Sequence, residues 1–455
     1  MALFIGRVRE LEELERRYSQ KRSGTCAVYG RRRVGKTAML REFCKDKPNL
    51  FLSAVEGSSS ATMKSYWRSM SSFSGRDVDP PSDMYDVVDF LEGIKADGKI
   101  VVVMDELPYL TDAMPESMSI LQHFIDLDRP GLDMFLVVCG SSIGAMMDMV
   151  GDSDKPLFGR FIGPMRVGPL PYWECRSFHP HLSEEDCMRI YCIAGGVPLY
   201  HILMQGDTVE DCIKGAFLGP YSPLREEAMN VIARELVPRE PNMRVLESMA
   251  SGSTRLKEIS ERSGLFESSC KKYLDRLIVL GIVEKVVPMG GAKGRVAFYR
   301  ITDGLMRFHF KVLIETTSSV EYGDPDVSYS MVRNLIDEFY GPGFECICRD
   351  WVSRNHRCRG IGSWWGTVDG EDVDVDIVAL ASDGVNEYAL VGESKFRNKL
   401  FGIREYNILT RRVAAMKGLM NVRYVLFSRS GFTEDMYDLE ERGNIRLLTP
   451  ADMYG

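Results

Sequence analysis

The chain has 455 residues, of which 45% are hydrophobic and 27% are charged, a composition typical of a globular protein of about three domains. The net charge of −8 excludes a general affinity for nucleic acid, so any basic surface must be local. No apolar run reaches the ~18 residues of a membrane span, and we expect no membrane partner. The 11 scattered cysteines and an N-terminus without a secretory signal predict reduced thiols and a cytoplasmic location.

Residues 30–37 match the phosphate-binding pattern G-x-x-x-x-G-K-[ST] without a mismatch. A short β-prone stretch precedes them and a helical pattern follows, which is the context that this motif requires. The glycines let backbone N–H groups surround an anion, and the start of the helix adds positive potential. We predict that Lys36 contacts the β- and γ-phosphates of ATP and that Thr37 ligates Mg²⁺. The predicted nucleotide-contacting residues of this segment are Gly30, Arg31, Arg32, Arg33, Val34, Gly35, Lys36, Thr37 and Ala38.

An apolar stretch over residues 100–104 ends in two acids, Asp105 and Glu106. The pattern predicts a buried parallel strand with carboxylates at its carboxyl end, where doubly wound sheets hold their ligands. We expect Asp105 to hold Mg²⁺ through a water molecule. Glu106 is expected to orient and deprotonate the attacking water.

Two further residues are candidates for the same catalytic site. Ser141 follows a predicted strand at residues 134–139 and could contact the γ-phosphate or the attacking water. The alternative is that this serine only caps the next helix. Arg160 lies in a loop before a short strand and is a candidate arginine finger, acting in cis or across a subunit interface. Its alternative is an ordinary solvated arginine.

Residues 1–170 are thus predicted to form the ATPase core, and residues 171–238 a helical lid. Residues 239–310 show three short helical patterns followed by two strands, the order of a winged helix-turn-helix. Polar, turn-rich residues 311–332 predict a linker.

A local basic patch supports DNA contact by the predicted winged helix. Residues 240–305 contain 11 Lys and Arg against 8 Asp and Glu, a net charge of +3. Such a patch is what phosphate contacts require. The alternative is that this module packs against protein. The basic residues expected on the recognition helix and the wing are Lys271, Lys272, Arg276, Lys293 and Arg295.

Residues 333–455 predict an α/β domain of order αβββαβ with acids at defined strand positions. An aspartate on one strand and Glu-x-Lys on the next is the arrangement of PD-(D/E)xK nucleases. Asp376 and Glu393 are candidate ligands of Mg²⁺ or Mn²⁺, and Glu345 on the preceding helix is an additional one. Lys395 is expected to orient water or to stabilise charge on the scissile phosphate. A solvated Glu–Lys pair at a strand edge is the alternative.

Together these residues resemble the archaeal-type AAA ATPases of the signal-transduction NTPase group. The resemblance covers nearly the whole chain and implies a P-loop NTPase with a helical lid, a winged helix and a restriction-endonuclease-like α/β domain. It also implies that Arg7, in the N-terminal box Phe4-Ile5-Gly6-Arg7, lies near the adenine. One departure is residues 307–310, where the family tends to have a tryptophan after Arg-Phe.

The leading functional hypothesis is an ATP-hydrolysing switch coupled to the winged helix and to a nuclease-like domain acting on DNA. The alternative is a non-nucleolytic regulator in which ATP gates binding and the C-terminal domain is a docking module. A third possibility is a defence protein that senses a foreign trigger and then cuts nucleic acid. The expected partners are ATP, DNA, and either a protein trigger or further copies of the chain.

Overall fold

The structure is a computed structural model, and it describes residues 4–20, 24–95, 98–127, 132–161, 163–289, 297–316, 323–368, 370–416 and 418–455. It divides into two compact units. The first unit comprises Met1–Leu170 with Val197–Leu199, and the second comprises Pro171–Gly196 with Tyr200–Gly455.

The first unit is built on a parallel sheet whose described strands follow the order β2-β3-β4-β1-β5. The strands are β1 (Gly24–Tyr29), β2 (Asn49–Ser53), β3 (Ile100–Asp105), β4 (Met134–Gly140) and β5 (Met165–Arg166). All residues of β3 and β4 are buried, as expected for apolar strands covered on both faces. Strand β4 therefore separates the strand that leads into the phosphate loop from the strand that ends in Asp105.

Helices cover this sheet and connect its parallel strands. They are α1 (Val8–Tyr18), α2 (Lys36–Cys44), α3 (Ser59–Ser74), α4 (Met84–Glu92), α5 (Leu107–Ala113), α6 (Ser117–Asp126) and α7 (Ile143–Gly151). One core cluster joins α1 and α2 to the strands and includes Leu14, Leu40, Val103 and Phe135, all nearly inaccessible to solvent. The element order agrees with the predicted P-loop NTPase core, and it places the phosphate loop between β1 and α2.

The second unit begins with short helices, in agreement with the helical pattern of residues 171–235. Those helices are α8 (Tyr172–Cys175), α9 (Glu184–Ala194), α10 (Pro198–Leu203), α11 (Val209–Ile213) and α12 (Glu227–Glu235), with the start of α10 lying in the first unit.

Three helices and an antiparallel hairpin follow. They are α13 (Arg239–Ala250), α14 (Leu256–Ser263), α15 (Glu267–Val279), β6 (Val283–Val286) and β7 (Phe298–Ile301), with α16 (Gly304–Lys311) after them. Helices α14 and α15 begin after Arg255 and Phe266. Lys293 and Arg295 lie outside the described residues.

The predicted linker 311–332 is wrong at its C-terminal end, because α17 (Pro325–Asn355) already begins there. Its N-cap Asp324 accepts hydrogen bonds from the backbone N–H groups of Asp326 and Val327, and a proline at the first helical position suits this start. The polar, turn-rich composition of this segment predicted a linker where the helix already begins.

A mixed sheet completes the second unit, with the described strand order β12-β11-β10-β9-β8. Strands β8 (Arg357–Val368), β9 (Glu371–Ser382) and β10 (Glu387–Lys395) are antiparallel neighbours, and β11 (Arg423–Ser428) and β12 (Ile445–Leu448) run parallel to β10. The associated helices are α18 (Ile403–Ala414), α19 (Glu434–Glu441) and α20 (Pro450–Tyr454).

Candidate functional site

The phosphate loop requires glycine at both ends for different reasons. A Cβ on Gly30 would lie 2.2 Å from the carbonyl oxygen of Val167, so no side chain fits. Gly35 has φ of 92°, in the left-handed region that favours glycine. The loop is therefore held close to the end of β5 and turns directly into α2.

The side chains that follow Gly35 carry the groups that a phosphate loop needs. The buried Lys36 ammonium donates to the carbonyl oxygens of Gly30 (2.7 Å) and Arg31 (2.9 Å), so it lies within the loop that would surround an anion. The Thr37 hydroxyl donates to Asp105 Oδ2 at 2.9 Å. A hydroxyl and a carboxylate from adjacent elements provide the hard oxygen ligands that Mg²⁺ prefers.

Glu106 and Ser141 are joined directly at the carboxyl ends of neighbouring strands β3 and β4. Glu106 Oε2 accepts hydrogen bonds from the Ser141 hydroxyl (2.8 Å) and from its backbone N–H (3.2 Å). Glu106 also has φ of 56°, a left-handed conformation that is uncommon for a non-glycine residue and concentrates at functional sites. It is Ser142 that caps α7, accepting from the N–H of Ala145, which leaves Ser141 to orient Glu106.

Arg7 fixes the N-terminal segment to the back of the phosphate loop. Its guanidinium is buried and donates to the carbonyl oxygens of Val34 (2.7 Å) and Gly168 (2.6 Å). It also pairs with Glu10 at 2.7 Å. The predicted role of Arg7 near the adenine stays a prediction, and the contacts assign it a part in holding the loop.

The three arginines of the loop differ in their surroundings. Arg33 has φ of 68° and is exposed. Arg32 is half-buried and donates to the hydroxyl of Tyr109 on α5. The Tyr109 hydroxyl in turn donates to Glu56 Oε2 at 3.3 Å. Arg32 thus spans from the phosphate loop to the helix that follows Glu106.

Arg160 lies at the opposite end of the sheet from the phosphate loop. Its carbonyl oxygen accepts from the hydroxyl of Thr25, near the amino end of β1. Its guanidinium forms a two-point pair with Asp126 at 2.9 and 2.7 Å. Since β1 rises about 3.3 Å per residue, the loop after Tyr29 is roughly 15 Å away. Arg160 therefore does not reach the phosphate loop of its own chain in this structure, and its role as an arginine finger, in cis or across a subunit interface, stays a prediction.

The basic residues of the predicted recognition helix have different environments. Lys271 and Lys272 are exposed on α15. Arg276 instead donates to the carbonyl oxygens of Val237 and Glu235, the second at 3.1 Å. Arg276 is therefore occupied in joining α15 to the segment after α12.

The acids of the C-terminal sheet converge where β9 and β10 separate. Asp376 Oδ2 accepts from the backbone N–H (2.9 Å) and hydroxyl (3.0 Å) of Ser394. Glu393 Oε1 accepts from Lys395 at 2.6 Å and lies 3.8 Å from Arg412 on α18. Glu393 Oε2 is buried with no hydrogen-bond partner among the described residues. Burial, and then the Asp376 charge, raise the pKa of Glu393 above its ordinary value.

Glu345 belongs to the same acidic group and reaches it from α17. Burial, and then the Asp376 charge, raise its pKa as well. A guanidinium nitrogen of Arg300, on β7, lies 3.7 Å from Glu345 Oε2. The described residues contain no group of three acids, histidines or cysteines arranged to hold a metal ion. The predicted set Glu345, Asp376 and Glu393 is therefore close together but not preassembled as a metal site.

The β6–β7 hairpin docks on the edge of this sheet. Met289 donates its N–H to the carbonyl oxygen of Ser363 on the edge strand β8 at 3.0 Å, and its side chain packs on the domain core. The rings of Phe298 and Trp365 lie 4.4 Å apart between centroids. The hairpin is thus part of the surface beside the acidic group.

Sequence reasoning missed the residues that act as partners of the predicted ones. Tyr109 is the one of these partners that local spacing could have indicated, because it lies one helical turn after Glu106. No periodicity identified the others, since each reaches its partner through the tertiary fold. Those partners are Glu56, Asp126, Arg300, Ser394 and Arg412.

Comparisons with known families agree with this geometry in the first unit. Residues 4–203 match a family described as an ATPase domain predominantly from Archaea. Residues 309–409 match a family of archaeal and bacterial proteins of unknown function, and that range includes Glu345, Asp376, Glu393 and Lys395. No described helix is long and apolar enough to cross a membrane.

Two relatives from Methanocaldococcus jannaschii extend the comparison. The uncharacterized protein MJECL04 is 25% identical over 87% of this chain and 88% of its own length. The uncharacterized ATP-binding protein MJ0423 is 40% identical over 47 residues, 10% of this chain and 80% of its own. Among solved structures, the Walker-type ATPase PABY2304 of Pyrococcus abyssi is similar with a TM-score of 0.51 and 17% identity, covering 68% of this chain and 96% of that one. This likeness shows the P-loop α/β fold.

Proposed function

We propose that the chain is an ATP-hydrolysing switch, because residues 4–203 match an ATPase domain family predominantly from Archaea. The observation that carries the proposal is the meeting of two hydrogen-bonded pairs at the carboxyl edge of one sheet. Thr37 with Asp105 provides oxygen ligands for Mg²⁺, and Ser141 with Glu106 provides an oriented base. Lys36 lies in the loop that would hold the phosphates.

The reaction follows from these positions. Glu106 accepts a proton from water as the water oxygen attacks the γ-phosphorus, and the bond from that phosphorus to the β–γ bridging oxygen breaks. ADP and inorganic phosphate leave. Lys36 balances the charge that develops on the phosphate oxygens. Mg²⁺, held by Thr37 and Asp105, would supply further positive charge beside the β- and γ-phosphates.

The ATPase proposal is tested by phosphate release from ATP in the presence of Mg²⁺. Lys36→Ala is expected to abolish nucleotide binding and turnover, whereas Glu106→Gln is expected to retain ATP binding and lose turnover. An exposed arginine far from the site, Arg16 on α1, provides the matched control Arg16→Ala. Turnover by Lys36→Ala equal to that of the unmodified chain would refute the assignment.

The second candidate function is phosphodiester cleavage by the C-terminal sheet, with nucleotide state controlling it and the helix–hairpin module of residues 239–310 contacting DNA. The convergence of Asp376, Glu393 and Lys395 supports it, because a buried carboxylate oxygen without a partner is suited to a metal ion. The exposed Lys271 and Lys272 support DNA contact.

The rival is a non-nucleolytic regulator in which the C-terminal domain docks a protein trigger. The absence of a preassembled metal group in the described residues and the Arg300 contact with Glu345 favour this rival. Cleavage of single- and double-stranded DNA should be measured with Mg²⁺ or Mn²⁺, with and without ATP. Cleavage that Glu393→Ala abolishes supports the nuclease, and cleavage that survives this substitution contradicts the proposed site.

A further inference from the structure

Arg32 makes a contact that loop formation does not require. Lys36 and Arg7 donate to carbonyl oxygens of the loop itself, and so stabilise its curvature. Arg32 instead extends out of the loop, and its guanidinium carbon lies 5.8 Å from the centroid of the Tyr109 ring while it donates to the hydroxyl. Its partner belongs to α5.

The position of Tyr109 links Arg32 to the catalytic carboxylate. Glu106 is the residue before α5, and the N–H of Tyr109 donates to its carbonyl oxygen at 2.9 Å. The Tyr109 hydroxyl also contacts Glu56, which follows β2. Arg32 therefore extends from the loop that would hold the phosphates to α5, the helix whose N-cap is the proposed base Glu106.

Arg160 does not lie beside Arg32 and Tyr109, because it is bonded near the amino end of β1 and to Asp126. A γ-phosphate is a stronger partner for a guanidinium than a neutral phenol, since it carries negative charge and can accept two parallel N–H···O bonds from the planar fork. ATP can thus draw Arg32 away from Tyr109.

We propose that Arg32 is an arginine finger supplied in cis, held on the Tyr109 hydroxyl, which itself donates to Glu56, and transferred to the γ-phosphate when ATP binds. The proposal rests on the proposed ATPase function. In the reaction, Arg32 donates to the equatorial γ-phosphate oxygens as the water oxygen bonds to phosphorus and ADP departs. It transfers no proton, and the proton from water goes to Glu106.

The test separates catalysis from binding and from folding. Arg32→Ala is expected to lower kcat by about 10³-fold with less than a few-fold change in ADP affinity, because the finger acts on charge that develops only in the transition state. Trapping of ADP with aluminium fluoride should be lost. Arg32→Lys should restore only part of kcat, since it keeps the charge without the planar fork. Arg16→Ala should match the unmodified chain.

A mixing experiment separates cis from trans action. Arg32→Ala chains mixed with Lys36→Ala chains should stay inactive, because a finger in cis cannot be supplied by a neighbour. Arg160→Ala chains mixed with Lys36→Ala chains would regain activity if Arg160 acts in trans, because the Lys36→Ala chains still carry Arg160. Unchanged kcat in Arg32→Ala, or rescue of it by mixing, would overturn the proposal for Arg32 alone. Failure of the unmodified chain to release phosphate would overturn the ATPase function together with it.

Discussion

Two adjacent serines at the end of β4 have different roles, which single substitutions can distinguish. Ser141 donates twice to Glu106, whereas Ser142 caps α7. Ser141→Ala removes the hydroxyl donor and leaves only the backbone N–H on Glu106. We expect kcat to fall by roughly 10-fold with little change in KM, because the base is less well oriented. Phosphate-release kinetics provide the measurement.

Ser142→Ala is the control for that prediction. Loss of an N-cap costs about 1 kcal/mol of stability and should lower the urea midpoint without lowering kcat. Equal kinetic losses in both variants would show that Ser141 acts through helix stability and not through Glu106.

A buried pair of histidines makes the stability of the second unit depend on pH. His201 Nε2 lies 2.7 Å from the Gly195 carbonyl oxygen, which can only accept, so a neutral His201 accepts at Nδ1 from His179 Nε2, 3.0 Å away. The bonds are thus satisfied when both rings are neutral. Burial lowers the pKa of His179 to about 4 and that of His201 to about 3.

Because both pKa values are lowered in the folded protein, the free energy of unfolding decreases as the pH falls. The stability that the two neutral histidines contribute is fully present above about pH 6.5, the pKa of a histidine in the unfolded chain. It is lost as the pH falls towards 4, because only the unfolded chain binds the protons readily. We expect the free energy of unfolding to drop by about 3 kcal/mol or more over that range. Urea unfolding at a series of pH values measures it. His179→Gln should flatten the dependence, while His123→Gln, at an exposed position of α6, should leave it unchanged.

At the scale of elements, the β6–β7 hairpin is engaged by the C-terminal sheet and is not free to act as an independent wing. Phe298 on Trp365 and Arg300 near Glu345 hold it there. Trp365→Ala removes the aromatic contact, which is worth about 1 kcal/mol beyond its buried area. We expect backbone amides of the hairpin to exchange at least 5-fold faster, as measured by hydrogen exchange with mass spectrometry.

The same variant tests what the hairpin does. If the module binds DNA through its hairpin, release by Trp365→Ala should strengthen DNA binding measured by fluorescence anisotropy. Val385→Ala, at an exposed tip between β9 and β10, should change neither quantity. Unaltered exchange in Trp365→Ala would contradict the docked arrangement.

Local sequence predicted those elements whose structure is decided locally. The phosphate loop and the apolar strand ending in Asp105 are continuous in sequence, so spacing and hydrophobicity were sufficient. The start of α17 was missed because Pro325 follows polar residues that are equally common in loops and at helix starts. Periodicity indicates which face is exposed, but it does not predict that the exposed Arg276 donates to backbone carbonyls 39 and 41 residues away.

In the candidate site too, residues within a local motif could be predicted from the sequence, whereas pairs of residues distant in sequence could not. Lys36, Thr37, Asp105 and Glu106 follow from motif chemistry. The structure places Lys36 within its own loop and joins Thr37 to Asp105 by a hydrogen bond. The Arg32–Tyr109 contact joins residues 77 positions apart, and the Arg160–Asp126 pair joins residues 34 apart. Such pairings depend on strand order, in which β4 separates β1 from β3, and no single segment encodes it.

For the whole molecule, the question is whether nucleotide bound by the first unit alters the second. A ligand that binds only the folded first unit at 100 times its Kd stabilises that unit by about 2.7 kcal/mol, which should slow exchange of the buried amides of β3 by about 100-fold. If the two units were not coupled, nucleotide binding would protect only the amides of the first unit. A switch must also change exchange in the second unit, and its docked β6–β7 hairpin is the element on which we expect the change, because Arg300 of the hairpin lies beside Glu345 of the acidic group.

The measurement uses Glu106→Gln with ATP, so that the nucleotide stays intact, and compares it with the same protein without nucleotide. We expect protection to rise at β3 and to change at the hairpin by at least 3-fold. Lys36→Ala with ATP should show neither effect, because it cannot hold the phosphates. Protection confined to the first unit would mean that the two units bind and act independently, and the proposal of an ATP-driven switch would then be wrong even if hydrolysis were measured.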